Sequence, residues 1–488
     1  MIRDTAPSTT VSEANPLYER IAAQIARLIA EGTLRPGERI PSVRKLHKHQ
    51  QVSVTTVTQA YRLLESRGLV EARPQSGYYV RVRPWVPPPE PEMIAPAPRA
   101  SKVQVSDLVM EVIKATRDPG LIRLGATMPS PELFPTAELT RVMGAVGRRF
   151  PVQANSYDPT PGHANLRAQV ARRALESGCM LSPDDIVVTC GTTEALHLCL
   201  RAVARPGDAI AIESPTLFGI LQIIESLGMR ACEIPTYPRE GICLDALAAR
   251  LGPCRIKACV FTLNYSNPLG SCMPDEKKKR LVELLTERGI PLIEDDIYGS
   301  LTFGPARPKV AKSFDREGWV LLCDSFTKTL APGYRVGWTA PGRFKAHVEY
   351  LKYVCTSATA TPPQMAIANF LATGGYDHHL GKLRRFYAEQ VQRMTEAVTR
   401  HFPPGTTVTR PTGGQVLWIG LPATVDSLQL YRNALAEKIS IAPGPVFSPK
   451  KKFKNFIRLN CGNPWSPRLE EALAKLGELI EELGSEAK

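Results

Sequence analysis

One lysine stands among hydroxyl residues in the segment 325–338, SFTKTLAPGYRVGW. Lys328 follows Ser325 and Thr327, and Arg335 comes seven residues later. A lysine amine forms an imine with a carbonyl compound, whereas hydroxyls and the fork of an arginine bind phosphate. A single lysine with such neighbours is also typical of an ordinary surface. The segment therefore indicates chemistry only if other motifs of the chain support it.

Three further motifs carry groups that could complete such a site. Residues 291–298 (PLIEDDIY) end an apolar strand in three acids, and residues 266–270 (SNPLG) hold an asparagine before a proline. The first is also typical of a solvated strand end, and the second of a common turn. Residues 191–194 (GTTE) lie between a predicted strand and a predicted helix. Free amides and the helix dipole attract an anion at such a point.

The elements that must position these motifs follow an alternating pattern from about residue 105 onward. Short apolar runs predict strands at 186–189, 209–212, 258–262, 291–294 and 320–323, and helical patterns such as 275–288 separate most of them. Alternation of this kind predicts a mostly parallel sheet with helices on both faces, an α/β fold. From about Tyr387 to residue 488, helices mix with strands at 415–419 and 456–459. This stretch predicts a small C-terminal α+β lobe.

In their order along the chain, these motifs resemble the aspartate-aminotransferase-like enzymes, which use pyridoxal 5'-phosphate (PLP). The resemblance implies that Lys328 forms a Schiff base with PLP and that Asp295 pairs with the pyridinium nitrogen. It implies that Arg458, in FIRLN, binds the α-carboxylate of a substrate. The ring hydroxyl would contact Tyr298 and Asn267. The phosphate would be bound by Gly191, Thr192, Thr193, Ser325, Thr327, Arg335 and, across a homodimer interface, by Tyr157 of SYDPTPGHANLR.

Three positions depart from the aminotransferase pattern. Leu217 stands where many relatives place an aromatic residue over the PLP ring, and Phe218 follows it. Residues 126–127 (Ala-Thr) replace a Gly-rich pair near the substrate, and Gln415 replaces a bulky apolar residue. We expect PLP binding to survive these changes, whereas turnover of an ordinary amino acid stays an open question.

A separate pattern fills residues 16–83. An amphipathic helix at 17–30 is followed by a helix capped by Ser42, a third helix capped by Ser53, and two β-rich stretches around a turn at 74–77. Three helices followed by a hairpin predict a winged helix-turn-helix. The segment holds 12 basic and 5 acidic residues. This surplus favours a polyanion partner.

The strings PGERIPSVRKL and VSVTTVTQAYRLLESRGLVEARPQSGYYV resemble the DNA-binding domain of the GntR family of bacterial regulators. The third helix would enter the major groove of double-stranded DNA. The predicted DNA contacts are Arg44, Ser53, Thr55, Thr56, Gln59 and, in the wing, Ser76, Gly77 and Tyr78. Val54 stands where many relatives carry an arginine, and residues 47–51 (HKHQQ) are also unusual. These departures leave the operator sequence open.

Composition limits the remaining classes of protein. The chain has 488 residues and a net charge of +14, with no apolar run long enough for a membrane span and no signal-like N-terminus. Eleven cysteines are scattered without a C-x-x-C pair. We therefore expect a cytoplasmic protein with no structural metal. The basic run 450–454 (KKKFK) is interpreted as a solvated loop, with a second phosphate contact as the alternative.

Residues 84–104 begin with a proline-rich run that predicts a semi-rigid linker. It would separate the DNA-binding domain (16–83) from the PLP domain (105–488), with residues 1–15 as a flexible N-terminus. This architecture resembles the MocR subfamily of GntR-type regulators. It implies a homodimeric transcriptional regulator that senses PLP or an amino-acid adduct. An active PLP-dependent aminotransferase with a DNA-binding appendage is the alternative, because the lysine, aspartate and arginine set permits transamination.

Overall fold

The computed structural model describes residues 16–73, 76–81, 87–115, 118 and 120–486. The predicted flexible N-terminus (1–15), two residues of the wing turn (74–75) and the start of the predicted linker (84–86) lie outside the described residues. The chain divides into two compact units, Met1–Pro87 and Pro88–Lys488. Each unit is described by itself.

The N-terminal unit has the elements Leu17–Ala30 (α1), Val43–Gln50 (α2), Val54–Ser66 (α3), Val70–Arg73 (β1) and Gly77–Val80 (β2). The two strands pair as an antiparallel hairpin. The predicted caps are present, since Ser42 accepts from the Lys45 N–H and Ser53 from the Thr56 N–H. Tyr61 lies at the centre of the core and donates from its hydroxyl to Pro41 O at 2.5 Å. The winged helix-turn-helix architecture is confirmed.

The larger unit contains more elements, which are given in chain order. Its helices are Ser106–Ala115 (α4), Thr136–Arg149 (α5), Pro151–Ala154 (α6), Ala164–Ala174 (α7), Thr192–Val203 (α8), Phe218–Ser226 (α9), Leu244–Leu251 (α10), Asp275–Thr286 (α11), Lys345–Thr356 (α12), Thr361–Ala372 (α13), Gly375–His401 (α14), Ser427–Ala436 (α15) and Pro467–Glu486 (α16). Its strands are Ser101–Lys102 (β3), Ile122–Arg123 (β4), Val187–Thr189 (β5), Ala209–Ser214 (β6), Arg230–Tyr237 (β7), Gly241–Ile242 (β8), Ile256–Phe261 (β9), Leu292–Asp295 (β10), Val320–Ser325 (β11), Gly337–Ala340 (β12), Thr407–Val408 (β13), Val416–Gly420 (β14), Ile439–Ser440 (β15), Ala442–Pro443 (β16) and Phe456–Asn460 (β17).

A mixed sheet forms the centre of this unit. Among the described residues it has the order β3-β7-β6-β9-β10-β11-β12-β5, with β8 paired to β7. The five strands from β7 to β11 run parallel, whereas β3, β12 and β8 pair antiparallel. Strand β6 is buried along its whole length, as expected for a parallel strand covered on both faces. The prediction of a mostly parallel α/β sheet is confirmed.

A four-stranded sheet of the order β13-β14-β17-β16 forms the smaller C-terminal part; α15 packs with β16, and α16 packs with α15 and α14. The sequence places the start of a lobe near Tyr387. In the structure this residue lies inside α14, a 27-residue helix that continues from Gly375 to His401. Tyr387 is fully buried.

Residues 88–102, here called the strap, begin the larger unit and lie against the rest of it. Glu90 accepts hydrogen bonds from Arg239 Nε at 2.5 Å and from the Arg410 N–H at 3.1 Å. The buried Arg250 donates to Pro96 O at 2.9 Å, and β3 pairs with β7 at the sheet edge. From residue 88 onward, the segment that the sequence predicts as a linker is thus part of the larger unit.

Within the described part of the chain, no helix combines the length and the apolar character needed to cross a membrane.

Candidate functional site

The carboxyl ends of two neighbouring parallel strands bring the predicted lysine and acid together. Asp295 is the last residue of β10, and Lys328 follows the end of β11 by three residues. The two strands are paired, with Asp295 opposite Cys323. In α/β sheets, ligands bind beyond the carboxyl ends of the parallel strands. The topology therefore creates a site at this edge.

Lys328 is held in a way that favours its neutral amine. Its Nζ donates to the backbone oxygen of Thr127 at 2.5 Å. Burial, followed by the positive charges of Arg458 and Arg335, lowers the pKa of Lys328 to about 8, while Asp295 acts in the opposite direction. A neutral amine is the form that attacks a carbonyl carbon. A larger share of the Lys328 amine is therefore neutral, and able to form an imine, than for an ordinary lysine at the same pH.

The three consecutive acids after the apolar strand have different environments. Glu294 accepts from the backbone N–H groups of Ala311 and Lys312, at 2.7 and 3.0 Å. Asp296 accepts from Asn264 Nδ2 at 2.8 Å and from Arg307. Glu294 and Asp296 are thus engaged by the protein itself.

Asp295 is the acid left available for a ligand. It is only 2% exposed, and among the described residues its hydrogen-bond donor is the Ile297 N–H at 3.3 Å. Burial, above all, raises the pKa of Asp295 to about 7, although Lys328 and the Ile297 N–H lower it. A cationic N–H donor from a ligand would stabilise this buried carboxylate.

A chain of polar groups connects Tyr298, Asn267 and Arg458. Asn267 Nδ2 donates to the Tyr298 hydroxyl at 3.1 Å, and Arg458 Nη1 donates to Asn267 Oδ1 at 3.2 Å. Arg458 also donates to Gly125 O. It is fully buried, burial lowers its pKa to about 10, and its Nε has no partner among the described residues. A buried guanidinium with a spare donor fits a carboxylate ligand.

A cradle for an anion lies at the start of α8. Gly191 caps the helix with φ +83°, and a Cβ there would lie 2.5 Å from Arg335 Nη2. Among the described residues, Thr192 Oγ1 is buried without a hydrogen-bond partner. Arg335 donates to Thr327 Oγ1 and to Cys190 O, at 3.4 and 3.3 Å. Free helix N–H groups, a spare hydroxyl and an arginine together suit a phosphate.

The cradle opens onto a cavity of about 500 Å³. Its lining includes Thr193, Glu194, His197 and Arg335, and the two exposed cysteines Cys190 and Cys355. Ser325, which the sequence also places near the phosphate, accepts from the Thr327 N–H at 3.3 Å and so fixes the loop before Lys328.

Tyr157 is not brought to these residues within one chain. It is 88% exposed, in the segment between α6 and α7. The prediction that it reaches the phosphate from a second subunit stays a prediction.

Sequence reasoning missed groups that act through the backbone or over long distances. Thr127 O accepts from both Lys328 Nζ and Gln415 Nε2, and residues 126–127 and Gln415 stood out only as departures from a pattern. The interpretation of 450–454 as a solvated loop is wrong for Lys452. This lysine donates to the buried Glu233 at 3.1 Å, because its loop folds back onto the main sheet.

In the N-terminal unit, the predicted groove residues cluster at the start of α3. Ser53, Thr55 and Gln59 are exposed, and Thr56 is half-buried. Thr56 Oγ1 and Ser53 Oγ lie 2.7 Å apart, so each hydroxyl is oriented by the other. Arg44 is exposed on α2.

The wing residues are more engaged within the fold than the sequence indicates. Ser76 and Tyr79 hydroxyls lie 2.6 Å apart, and Gly77 has φ +109° with the Arg39 side chain beside it. Tyr78 is half-buried, and its ring packs against Tyr61 at 5.0 Å. Its ring therefore serves the core of this unit.

Comparison with known proteins shows the families of both units. Residues 136–476 match the model of aminotransferase class I and II, and residues 17–80 match the bacterial regulatory proteins of the gntR family. The chain is 39% identical over 465 residues to the uncharacterized HTH-type transcriptional regulator YdcR of Escherichia coli, covering 95% of this chain and 99% of that one.

Two solved structures resemble the larger unit. The multiple substrate aminotransferase of Thermococcus profundus superposes with a TM-score of 0.73 at 28% identity, covering 78% of this chain and 95% of the other. LysN, an α-aminoadipate aminotransferase from Thermus thermophilus, was solved with N-(5'-phosphopyridoxyl)-L-leucine. It gives a TM-score of 0.71 at 29% identity, covering 78% of this chain and all of the other.

The chain is a GntR-type helix-turn-helix protein with an aminotransferase class I and II domain, and it belongs to the regulators of the MocR type. The resemblances drawn from the sequence are confirmed at this level. The aminotransferase fold family is PLP-dependent, so its cofactor is implied for this domain.

The residues present fit PLP. The orphaned hydroxyl of Thr192 and the glycine cradle suit a phosphate, because a Cβ on Gly337 would lie 2.6 Å from the Gly191 carbonyl carbon and close the cradle. The available carboxylate of Asp295 suits a pyridinium nitrogen. Lys328 suits an aldehyde.

Proposed function

We propose that the protein is a DNA-binding transcriptional regulator whose aminotransferase-like domain holds PLP through Lys328 and senses PLP or its adduct with an amino acid. One observation carries the proposal. In a site that also contains a lysine with a lowered pKa, the described residues leave two buried donors unpaired, Thr192 Oγ1 and Arg458 Nε. Unpaired buried polar atoms are rare in folded proteins, and here they match a phosphate and a carboxylate.

Each residue has a part in holding the cofactor. Lys328 would form a covalent imine bond through Nζ, and Asp295 would keep the ring nitrogen protonated. Tyr298 and Asn267 would contact the ring hydroxyl, and Arg458 would bind the carboxylate of an amino acid. The phosphate would be held by Gly191, Thr192, Thr193, Ser325, Thr327, Arg335 and, from a second subunit, Tyr157. Bound PLP acts as an electron sink for an amino acid.

Communication with the DNA-binding unit would run through the strap. Glu90 contacts Arg410, which lies between β13 and β14, and also Arg239, which follows β7. The strap follows directly in the chain on Pro87, the last residue of the DNA-binding unit. A ligand that changes the position of the smaller sheet would thus change how the strap is held. This coupling is part of the proposal.

A mobility-shift experiment tests the regulator. DNA upstream of the protein's own gene and neighbouring genes is titrated at fixed salt, with protein prepared with and without PLP. We expect specific binding whose affinity changes with PLP, and no such change for Lys328→Ala. The absorbance of the imine chromophore reports how much PLP each preparation holds. Equal DNA affinity with and without bound PLP would refute sensing.

The second candidate is an active aminotransferase. The pairing of Lys328, Asp295 and Arg458 in a domain of the aminotransferase family favours it. Sustained conversion of an amino acid and a 2-oxo acid by the PLP-loaded protein, together with no specific DNA shift, would support this candidate over the regulator.

A further inference from the structure

Gln415 is a buried polar residue that the proposed PLP and carboxylate contacts do not use. It immediately precedes β14 and is fully buried. Its Nε2 donates at 3.3 Å to Thr127 O, the same oxygen that accepts from Lys328 Nζ at 2.5 Å. Because the two hydrogen bonds share one acceptor, the two nitrogens are at most ~6 Å apart. The amide of Gln415 therefore belongs to the wall of the lysine site.

The orientation of this amide is defined by its partner. A backbone carbonyl oxygen can only accept, so the nitrogen of the Gln415 amide must face Thr127 O. The amide oxygen, Oε1, then points elsewhere. It is buried and has no hydrogen-bond partner in the part of the chain that the structure describes. A buried acceptor without a donor destabilises a fold, and an apolar side chain would avoid this penalty.

The surroundings of the amide connect it to the residues that would hold an amino acid. Strand β14 pairs with β17, and Trp418 lies opposite Arg458, the predicted carboxylate clamp. Arg458 donates to Gly125 O, two residues before Thr127. The backbone of residues 125–127 thus accepts hydrogen bonds from Lys328, Arg458 and Gln415. An amino acid held by its carboxylate at Arg458, with its α-carbon near Lys328, would extend its side chain within reach of this wall.

We propose that Gln415 determines specificity, with Oε1 accepting a hydrogen bond from a side-chain N–H of the bound amino acid. The inference rests on the proposed function, because it requires an amino acid at the PLP site. The side-chain nitrogens of asparagine and glutamine lie ~3–5 Å from the α-carbon. This length suits the limit of ~6 Å between Lys328 Nζ and Gln415 Nε2. A side-chain carboxylate is disfavoured because it offers only acceptors to Oε1, and an apolar side chain leaves Oε1 unpaired.

Calorimetry on the PLP-loaded full-length protein tests this specificity. The probes are asparagine and glutamine, with glutamate and methionine as matched controls of similar length. We expect the wild type to bind the better of the two carboxamides at least ~10-fold more tightly than glutamate or methionine. Gln415→Met keeps the volume and removes the amide, and should abolish this preference without changing PLP absorbance. Tyr431→Phe removes another buried oxygen that has no partner among the described residues, this one on α15, and should leave the preference unchanged.

The outcomes separate this inference from the proposed function. A wild type that holds PLP but binds glutamate or methionine as tightly as the carboxamides overturns the role of Gln415 and leaves the sensor proposal standing. The same holds if Gln415→Met retains the preference. A wild type that holds PLP and binds none of the four amino acids also overturns the role of Gln415 alone. A wild type that fails to hold PLP overturns both. The wild-type ranking alone decides the matter if Gln415→Met does not fold.

Discussion

Replacing Asp295 by asparagine should weaken PLP binding and, at the same time, stabilise the protein without PLP. Asparagine preserves the shape of the side chain and its acceptor for the Ile297 N–H. Burial raises the pKa of Asp295 from 3.8 to about 7. A raised pKa means that folding favours the protonated acid, so this stabilisation is present below pH ~4 and is lost as the pH rises through about 7.

The size of both effects follows from these values. Three pKa units correspond to ~4 kcal/mol. This is the upper bound on the free energy of unfolding that the PLP-free wild type loses when Asp295 ionises above pH 7. The asparagine variant has no acid at this position and keeps that stability. With PLP bound, the carboxylate meets a cationic N–H, and a hydrogen bond to a charged group contributes ~1.5–3 kcal/mol. The asparagine variant should therefore bind PLP ~10- to 150-fold more weakly.

Differential scanning calorimetry measures the change in stability of the PLP-free protein. It is run at pH 5 and pH 8, which lie about one unit or more on either side of the Asp295 pKa. Titration of PLP, followed by absorbance, measures the change in PLP affinity. Asp296→Asn is the matched control, because Asp296 is paired with the buried Arg307, and its replacement should destabilise the protein. A PLP-free Asp295→Asn variant that melts below the wild type at pH 8, or one that binds PLP normally, would refute the reasoning.

Three further predictions concern both units. In the imine-forming reaction with PLP, the rate should rise with pH through about 8, because the lowered pKa makes the Lys328 amine neutral there; a midpoint near 10.5, read from absorbance kinetics, would contradict this. Arg44→Ala should weaken DNA binding and reduce the slope of log affinity against log salt by ~1, whereas an unchanged slope would exclude a phosphate contact. Glu90→Gln weakens the contacts to Arg239 and Arg410. It should leave PLP affinity within about twofold of wild type, and it should reduce the effect of PLP on DNA affinity measured by mobility shift. An intact PLP effect in Glu90→Gln would remove the strap from the coupling.

Local signals explain how much of the fold was predictable. The apolar periodicity and the glycine and proline residues that follow it predicted helix Leu17–Ala30 with the bounds that the structure has. The serine caps predicted the starts of α2 and α3. Apolar runs predicted the buried parallel strands, because both of their faces are covered. Strand β7 was missed, since Arg230, Glu233 and Pro235 interrupt its apolar pattern. Its neighbours in the sheet override this local composition.

The candidate site was predictable where it follows from motifs, and not where it depends on the folded chain. Lys328, Asp295 and Asn267 lie in recognisable segments, and the structure brings them to one sheet edge. The link from Gln415 to Thr127 spans 288 residues and ends on a backbone oxygen, which carries no signal in the amino-acid type. The contacts of Glu90 with Arg239 and Arg410 could not be predicted from the sequence either. Proline-rich composition predicts that a segment is stiff, but not which residues it contacts.

The exposed thiols beside the anion cradle give the protein a native chemical reporter. Of the eleven cysteines, all within the described residues, Cys190 and Cys355 are the exposed ones, and both line the same cavity as Arg335. Cys190 directly precedes Gly191, so we expect a phosphate bound there to slow the alkylation of this thiol. Mass spectrometry of partially alkylated protein can therefore follow occupancy of the cradle without an introduced label, even in a mixture that also contains DNA.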